Sequence, residues 1–355
     1  MTPIDLRSDF LARPSPAMRQ AAARAQDDPA CFGLREDPWQ RRLEAHVADL
    51  CGTEDALIFP TCTMANTAAL LLQARPGSRV LTPPEAHVLV SEAGAGAAWG
   101  GLQLQPVPAD ADTMAMPPLE AWESAMAGPS DLQRPPVQLC VVENTHNRAG
   151  GIALPAAATG ALAALAQRHG VPVHLDGARL LFAAAALQQP VAALAAGCST
   201  VTLSLNKSLG APVAGLLAGR RDLIAEALVL RQRLGGGLRP VGEACAAALA
   251  GLQEPLGLEA VVAHARQLAR GLADCPGLTV RAPGVATNLV VVALDRPSHA
   301  ADCVAQLEAA GLRALSLAPG QIRFAVYRGV TADDITRAVA IMRQVMGRLA
   351  APGAA

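Results

Sequence analysis

The chain has 355 residues, a formal net charge of −1 and 3% aromatic residues. A near-neutral balance removes the electrostatic case for nucleic acid or an anionic membrane surface as partner. The length allows a large core and more than one lobe, and an alanine-rich sequence punctuated by glycine and proline suits a helix-rich α/β protein.

The elements follow in chain order. Met1 to Arg7 carries no apolar targeting segment. Ala56–Phe59 reads as a strand with a helix after it, Asn66–Gln73, and Arg79–Thr82 as a second strand. A polar, proline-rich surface loop covers Ala127 to Asp131 and Arg134 to Pro136. Val137–Glu143 is a third strand, Ala156–His169 a helix and Val171–Leu175 a fourth strand. The long uncharged stretch between Arg179 and Lys207 is broken by Gln188-Gln189-Pro190 and by Gly197-Cys198-Ser199-Thr200. It therefore reads as a buried helix, a loop and a strand rather than a membrane span. Leu216–Ala218 runs back antiparallel and Asp222–Arg233 is helical.

Beyond about residue 245 the pattern changes. Glu243–Leu252 and Gly257–Leu272 are helices, Leu278–Val280 and Leu289–Val292 strands; a helix from Ala300, the strand Ile322–Val326 and a last helix from Ala332 follow. Residues 350–355 should fray. Alternating strands and helices predict a mostly parallel sheet with crossover helices in a large domain, 1–245, and a smaller α+β C-terminal domain, 246–355. Eight cysteines occur without a CxxC pair, which argues for reduced thiols and a cytoplasmic setting rather than a disulfide or zinc framework.

Lysine occurs once, at Lys207. Arginine replaces lysine in solvation and ion pairing, but its guanidinium stays protonated and forms no Schiff base. A single retained lysine suggests work that needs a primary amine. It follows the uncharged run Thr200 to Leu205 and precedes Ser208-Leu209-Gly210-Ala211-Pro212, which reads as the end of a buried strand.

Three more polar clusters stand at predicted strand ends. Pro60 to Asn66 opens a helix with small hydroxyl residues, the composition of a phosphate-binding helix N-terminus. Glu143-Asn144-Thr145-His146-Asn147 packs more hydrogen-bonding side chains behind a strand than a turn needs. Asp176, within His174 to Arg179, puts a carboxylate where it can pair with a buried cationic nitrogen. A phosphate cradle, a carboxylate and a later lone amine, in that order, describe a pyridoxal 5'-phosphate (PLP) site.

On these residues the chain resembles the threonine aldolase family of PLP enzymes. The resemblance extends through Asp5 to Asp9, Glu36-Asp37-Pro38, Ala86-His87, Glu92-Ala93-Gly94, Leu209 to Val213, Gly235 to Arg239, Thr287-Asn288 and Ile322-Arg323. It implies an aspartate-aminotransferase-like fold with a seven-stranded, mostly parallel sheet. It implies Lys207 as the cofactor's anchor, Asp176 on the pyridine nitrogen, and His87 stacked on the ring. Thr61, Cys62 and Thr63 would cradle the phosphate, and Arg239 would reach the phosphate of a neighbouring subunit in a homo-oligomer, dimer or tetramer. Ser8, Arg179 and Arg323 would hold the substrate carboxylate, Arg179 lying also within the cofactor site, and His146 would handle the hydroxyl proton. No metal is expected.

The implied reaction is retro-aldol cleavage of β-hydroxy-α-amino acids, such as threonine, allo-threonine or phenylserine, to glycine and an aldehyde. Alternatives on the same scaffold are β-elimination, racemisation, transamination, or PLP binding without catalysis. The chain departs from the family pattern at Phe10, Cys62, Asn206, Val326 and Tyr327, and in the stretch Phe32 to Pro38. Phe10, Phe32 and Tyr327 motivate a pocket for a bulkier side chain.

Overall fold

The structure, a computed structural model, describes residues 3–29, 31–128, 132–212, 215–281 and 287–350. The expectations for Pro129 to Asp131, for Val213 and for the residues after Ala350 lie outside them.

Thirteen strands are described: β1 (Ile4–Asp5), β2 (Asp55–Phe59), β3 (Arg79–Thr82), β4 (Gln103–Pro106), β5 (Val137–Glu143), β6 (Val173–Gly177), β7 (Thr200–Ser204), β8 (Gly215–Gly219), β9 (Leu278–Arg281), β10 (Leu289–Leu294), β11 (Leu312–Arg313), β12 (Leu315–Ala318) and β13 (Gln321–Ala325). Seven form one sheet in the order β2-β8-β7-β6-β5-β3-β4. Only β8 runs against its neighbours, pairing antiparallel with β7 and β2. The α/β class and the seven-stranded, mostly parallel sheet agree with the sequence reading. A second, antiparallel sheet has the order β12-β13-β10-β9, and β1 pairs with β11.

The central strands are apolar because both faces are covered. Along β2, Ala56 and Ile58 join the main core, whereas Leu57 and Phe59 face the cluster under the helix Cys62–Gln73. The same two-residue period decides the chemistry of β6. Val173 and Leu175 enter the main core, so His174 and Asp176 point to the opposite face. The chain leaves β3 for β4 on one side and β5 on the other, so its direction reverses there, and ligands of open α/β sheets bind at the carboxyl ends beside such a reversal.

Not every element follows the sequence reading. The helix expected from Asn66 starts at Cys62, because Thr61 caps it: the Thr61 side chain accepts from the Met64 N–H. The edge strand β4, Gln103-Leu104-Gln105-Pro106, is partly exposed and carries proline, so it lacks the apolar signature of the inner strands. Among the described residues no single helix is long and apolar enough to cross a membrane.

Candidate active site

Lys207 lies beyond β7, on the short helix Leu205–Leu209 rather than on the strand end itself. Gly210 closes that helix at φ 73°, where it donates to the Asn206 carbonyl. A Cβ on Gly210 would lie 2.7 Å from the Arg13 carbonyl carbon, so the N-terminal arm crosses directly against this turn. Lys207 is 5% exposed, and among the described residues its Nζ has no hydrogen-bond or ion-pair partner. The Phe10 ring centroid is 5.1 Å from Nζ.

Asp176 is paired in register with Glu143 on β5 and Thr202 on β7, so three polar side chains line one face at the sheet's carboxyl edge. Asp176 accepts from the Ala178 N–H at 3.1 Å and from Asn66 Nδ2 at 2.9 Å. The buried Thr202 hydroxyl has no protein partner among the described residues. Asn66 also donates to Glu92 Oε1, at 2.8 Å, and His87 Nδ1 lies 2.8 Å from that same oxygen. His87, Glu92 and Asp176 thus converge, with ligand-type atoms within 4.8 Å of one another. Burial pulls the His87 pKa down, but the Glu92 hydrogen bond and the nearby carboxylates outweigh it and leave the value raised. Burial raises that of Glu92. With Nδ1 held by Glu92, His87 Nε2 has no hydrogen-bond partner among the described residues.

At the helix Cys62–Gln73, Met64 N–H goes to the Thr61 side chain and Ala65 N–H to the Thr61 carbonyl. The N–H groups of Cys62 and Thr63 are left without a partner among the described residues, which is the donor arrangement of an anion site. Gly215 of β8 backs this turn: a Cβ there would lie 2.5 Å from the Thr61 carbonyl. Cys62 turns its sulfur away to the Leu203 carbonyl, at 3.2 Å, and burial pushes its thiol up to about 11 despite nearby Lys207.

The arm supplies the opposite wall. Ser8 caps a short turn, its side chain accepting from the Phe10 N–H. Asp9, fully buried, accepts from Arg179 Nε at 2.7 Å, from Arg179 Nη2 at 3.0 Å and from Asn288 Nδ2 at 3.0 Å. Burial alone would raise the Asp9 carboxyl, yet the Arg179 guanidinium, with help from Lys207, holds it down to about 2. Arg179 is therefore committed on one side to Asp9. Arg323 of β13 differs. Its Nη1 donates to Asn147 Oδ1 at 2.8 Å and its Nη2 to the Arg7 carbonyl at 3.0 Å, while the buried Nε has no acceptor. No described carboxylate pairs with it, and burial, with Arg179 nearby, lowers its pKa to about 10.

Three expected residues stand differently. His146 is fully buried; its Nε2 lies 3.1 Å from the Pro84 carbonyl and its Nδ1 accepts from the Ala149 N–H at 3.2 Å. Both ring nitrogens are engaged with the backbone. Phe32 is 84% exposed and packs with Arg239, whose guanidinium lies 5.3 Å from its ring centroid. Tyr327 donates to the Asp5 carbonyl at 3.0 Å. Of the three aromatic residues expected at the pocket, Phe10 alone contacts the lysine. Asp9, Asn66, Glu92 and Asn288 had no assigned role in the sequence, although the spacing of His174 and Asp176 on one strand face was a readable signal.

A buried lone amine, a carboxylate at a parallel strand end, and free helix N–H groups backed by a glycine fit PLP, and with this fold they define a PLP-dependent enzyme. The β-eliminating lyase family model matches residues 5–295. The low-specificity L-threonine aldolase 1 of Arabidopsis thaliana is 36% identical over 352 residues, 98% of this chain and 97% of that one. An alanine racemase of Cochliobolus carbonum is 34% identical over 261 residues, 73% of this chain and 65% of that one. The threonine aldolase structure from Leishmania major superposes with a TM-score of 0.82 at 20% identity, covering 97% of this chain and all of that one. The chain belongs to the β-eliminating lyase family. It is a lyase of the threonine-aldolase type, with PLP as its cofactor.

Proposed function

We propose that the protein cleaves the Cα–Cβ bond of β-hydroxy-α-amino acids, releasing an aldehyde and glycine. The observation that carries this reading is Arg323, a buried guanidinium with an unsatisfied Nε and no described carboxylate partner. Such a cation calls for an anionic ligand, and an α-carboxylate is well matched to its planar fork. Arg323 donates to the Arg7 carbonyl of the same arm whose Phe10 meets Lys207, so the carboxylate and the amine of one amino acid can be met together.

Lys207 would anchor PLP, Asp176 would pair with its ring nitrogen, and the N–H groups of Cys62 and Thr63, with the Thr61 and Thr63 side chains, would hold its phosphate. Bound there, PLP supplies an electron-withdrawing π system that takes up the electron pair left at Cα. Arg323, assisted by Arg179 and Ser8, fixes the carboxylate and so sets which bond at Cα stands ready to break. His87, its Nδ1 held by Glu92, keeps Nε2 to accept the proton of the β-hydroxyl as the carbonyl of the departing aldehyde forms. A proton returned to Cα completes glycine. Arg239, exposed beside Phe32, is offered to the phosphate of a second copy in a homo-oligomer.

The Phe10 ring, 58% exposed and 5.1 Å from Nζ, supports a preference for an apolar Cβ substituent such as phenyl. The expected result is a kcat/KM for phenylserine at least about tenfold above that for threonine, narrowed by Phe10→Thr. Assays should quantify aldehyde and glycine against ammonia, keto acid and the enantiomeric amino acid. Equal kcat/KM for the two substrates removes the Phe10 argument; products other than aldehyde and glycine remove the aldolase reading.

A further inference from the structure

We propose that Asn66 and His174 are positioning residues, forming a polar relay that holds the Asp176 carboxylate in place for the cofactor's ring. The inference rests on the PLP site described above and goes beyond it.

A buried primary amide can be turned either way, and the neighbours of Asn66 decide. On one side stand two carboxylate oxygens, Glu92 Oε1 at 2.8 Å and Asp176 Oδ2 at 2.9 Å, which only accept. The Asn66 NH2 group must face them. Its Oδ1 then needs a donor, and His174 Nε2 stands 3.1 Å away. His174 can donate there only with its hydrogen on Nε2, which leaves Nδ1 as an acceptor. Thr200 Oγ1 lies 2.8 Å from Nδ1 and itself accepts from Gln73 Nε2 at 2.8 Å, so its own hydrogen is available to the ring. Every donor and acceptor from Gln73 to Asp176 has one consistent direction.

Burial holds the His174 pKa down to about 4, against the pull of Asp176, so the ring is neutral and has a single useful tautomer. The fold explains why these residues meet. His174 and Asp176 are two apart on β6, and Asn66 lies on the helix packed over that face, fully buried.

The task of the relay is orientation. Glu92 and Asp176 are buried carboxylates in one cluster, and Asn66 gives one N–H to each. Were the amide to turn, its oxygen would face both carboxylates, and Asp176 would lose the donor that fixes it for the cofactor's ring.

The test measures the affinity of the apoprotein for PLP without substrate, by titration of cofactor absorbance. His174→Leu keeps apolar volume and removes the donor; His174→Gln restores a donor. Thr200→Val, isosteric and one step further out, serves if His174→Leu fails to fold, with circular dichroism monitoring each variant. The relay predicts at least about tenfold weaker binding for His174→Leu, recovery to within about threefold for His174→Gln, and an intermediate loss for Thr200→Val. A packing role predicts that the two apolar variants bind as the parent does, and that result overturns the proposal, as does equal weakening by leucine and glutamine. Failure of the parent itself to take up PLP would instead overturn the functional reading.

Discussion

Substituting Asp9 by alanine is expected to destabilise the protein by about 3–5 kcal/mol, the largest loss anticipated for a single polar change in the arm. One buried charge is stranded and a second group loses a partner. Arg179 loses the carboxylate that takes its Nε and Nη2, and Asn288, 279 residues away in sequence, loses one of its two acceptors and keeps the Val326 carbonyl. A guanidinium left unpaired in a dry site costs more than the pair contributed, because the desolvation penalty remains and the attraction is gone. The pH dependence carries the same signature. Against the pull of burial, the Arg179 guanidinium holds Asp9 in the folded protein at about 2, below the ordinary aspartate value of 3.8. Its stabilisation is therefore fully present above 3.8 and is lost as the pH falls through 2. Urea unfolding of parent and variant should show a stability gap at neutral pH that narrows between 3.8 and 2; a variant as stable as its parent would mean that Asp9 does not tie the arm to the sheet.

The second large effect belongs to Asp176. Asp176→Asn preserves shape and removes charge, and kcat/KM for cleavage should fall by at least about 100-fold, the scale of losing one preorganised electrostatic contact in an active site. Asp176 stands where three strands end together, with Asn66 and the Ala178 N–H fixing its two oxygens. It is therefore poised before any ligand arrives. Steady-state assays on purified holoprotein check this, and activity retained within tenfold of the parent would take Asp176 out of the chemistry.

What was legible in the sequence was largely what local pattern controls. The boundaries of β3 and β5 follow from their apolar runs, and β8 reads correctly as a strand returning antiparallel to β7. Lys207 could be singled out because it has no second copy in the chain. Asp176 and the Thr61–Thr63 turn came forward because each follows or ends a strand, whereas His87 came only with the family resemblance. Long-range pairing was not legible. Nothing local to Asp9 announces Arg179, and nothing around Asn66 announces that its amide links His174 to two carboxylates.

Other differences have equally physical causes. His146 lies in a stretch rich in acid–base side chains, yet the backbone around it turns so that the Pro84 carbonyl and the Ala149 N–H take both ring nitrogens. Residue type drew attention to His146, whereas its burial and backbone partners depend on the fold and could not be read locally. Tyr327, though close in sequence to Arg323, points its hydroxyl to the arm at Asp5. Lys207 was placed at a strand's end, but Gly210 in the left-handed region lets the chain coil once after β7. The amine is thereby presented from a short helix pressed against the arm, and the same contact brings Phe10 to it.

The central assignment is that one ε-amino group anchors the coenzyme, and reduction of the purified holoprotein with borohydride followed by peptide mass spectrometry tests it most directly. A single pyridoxyl adduct on the peptide containing Lys207 is the predicted result. The chain's other primary amine is its N-terminus, so an adduct there, or a protein that takes up PLP and yields no reduced adduct, would contradict the account.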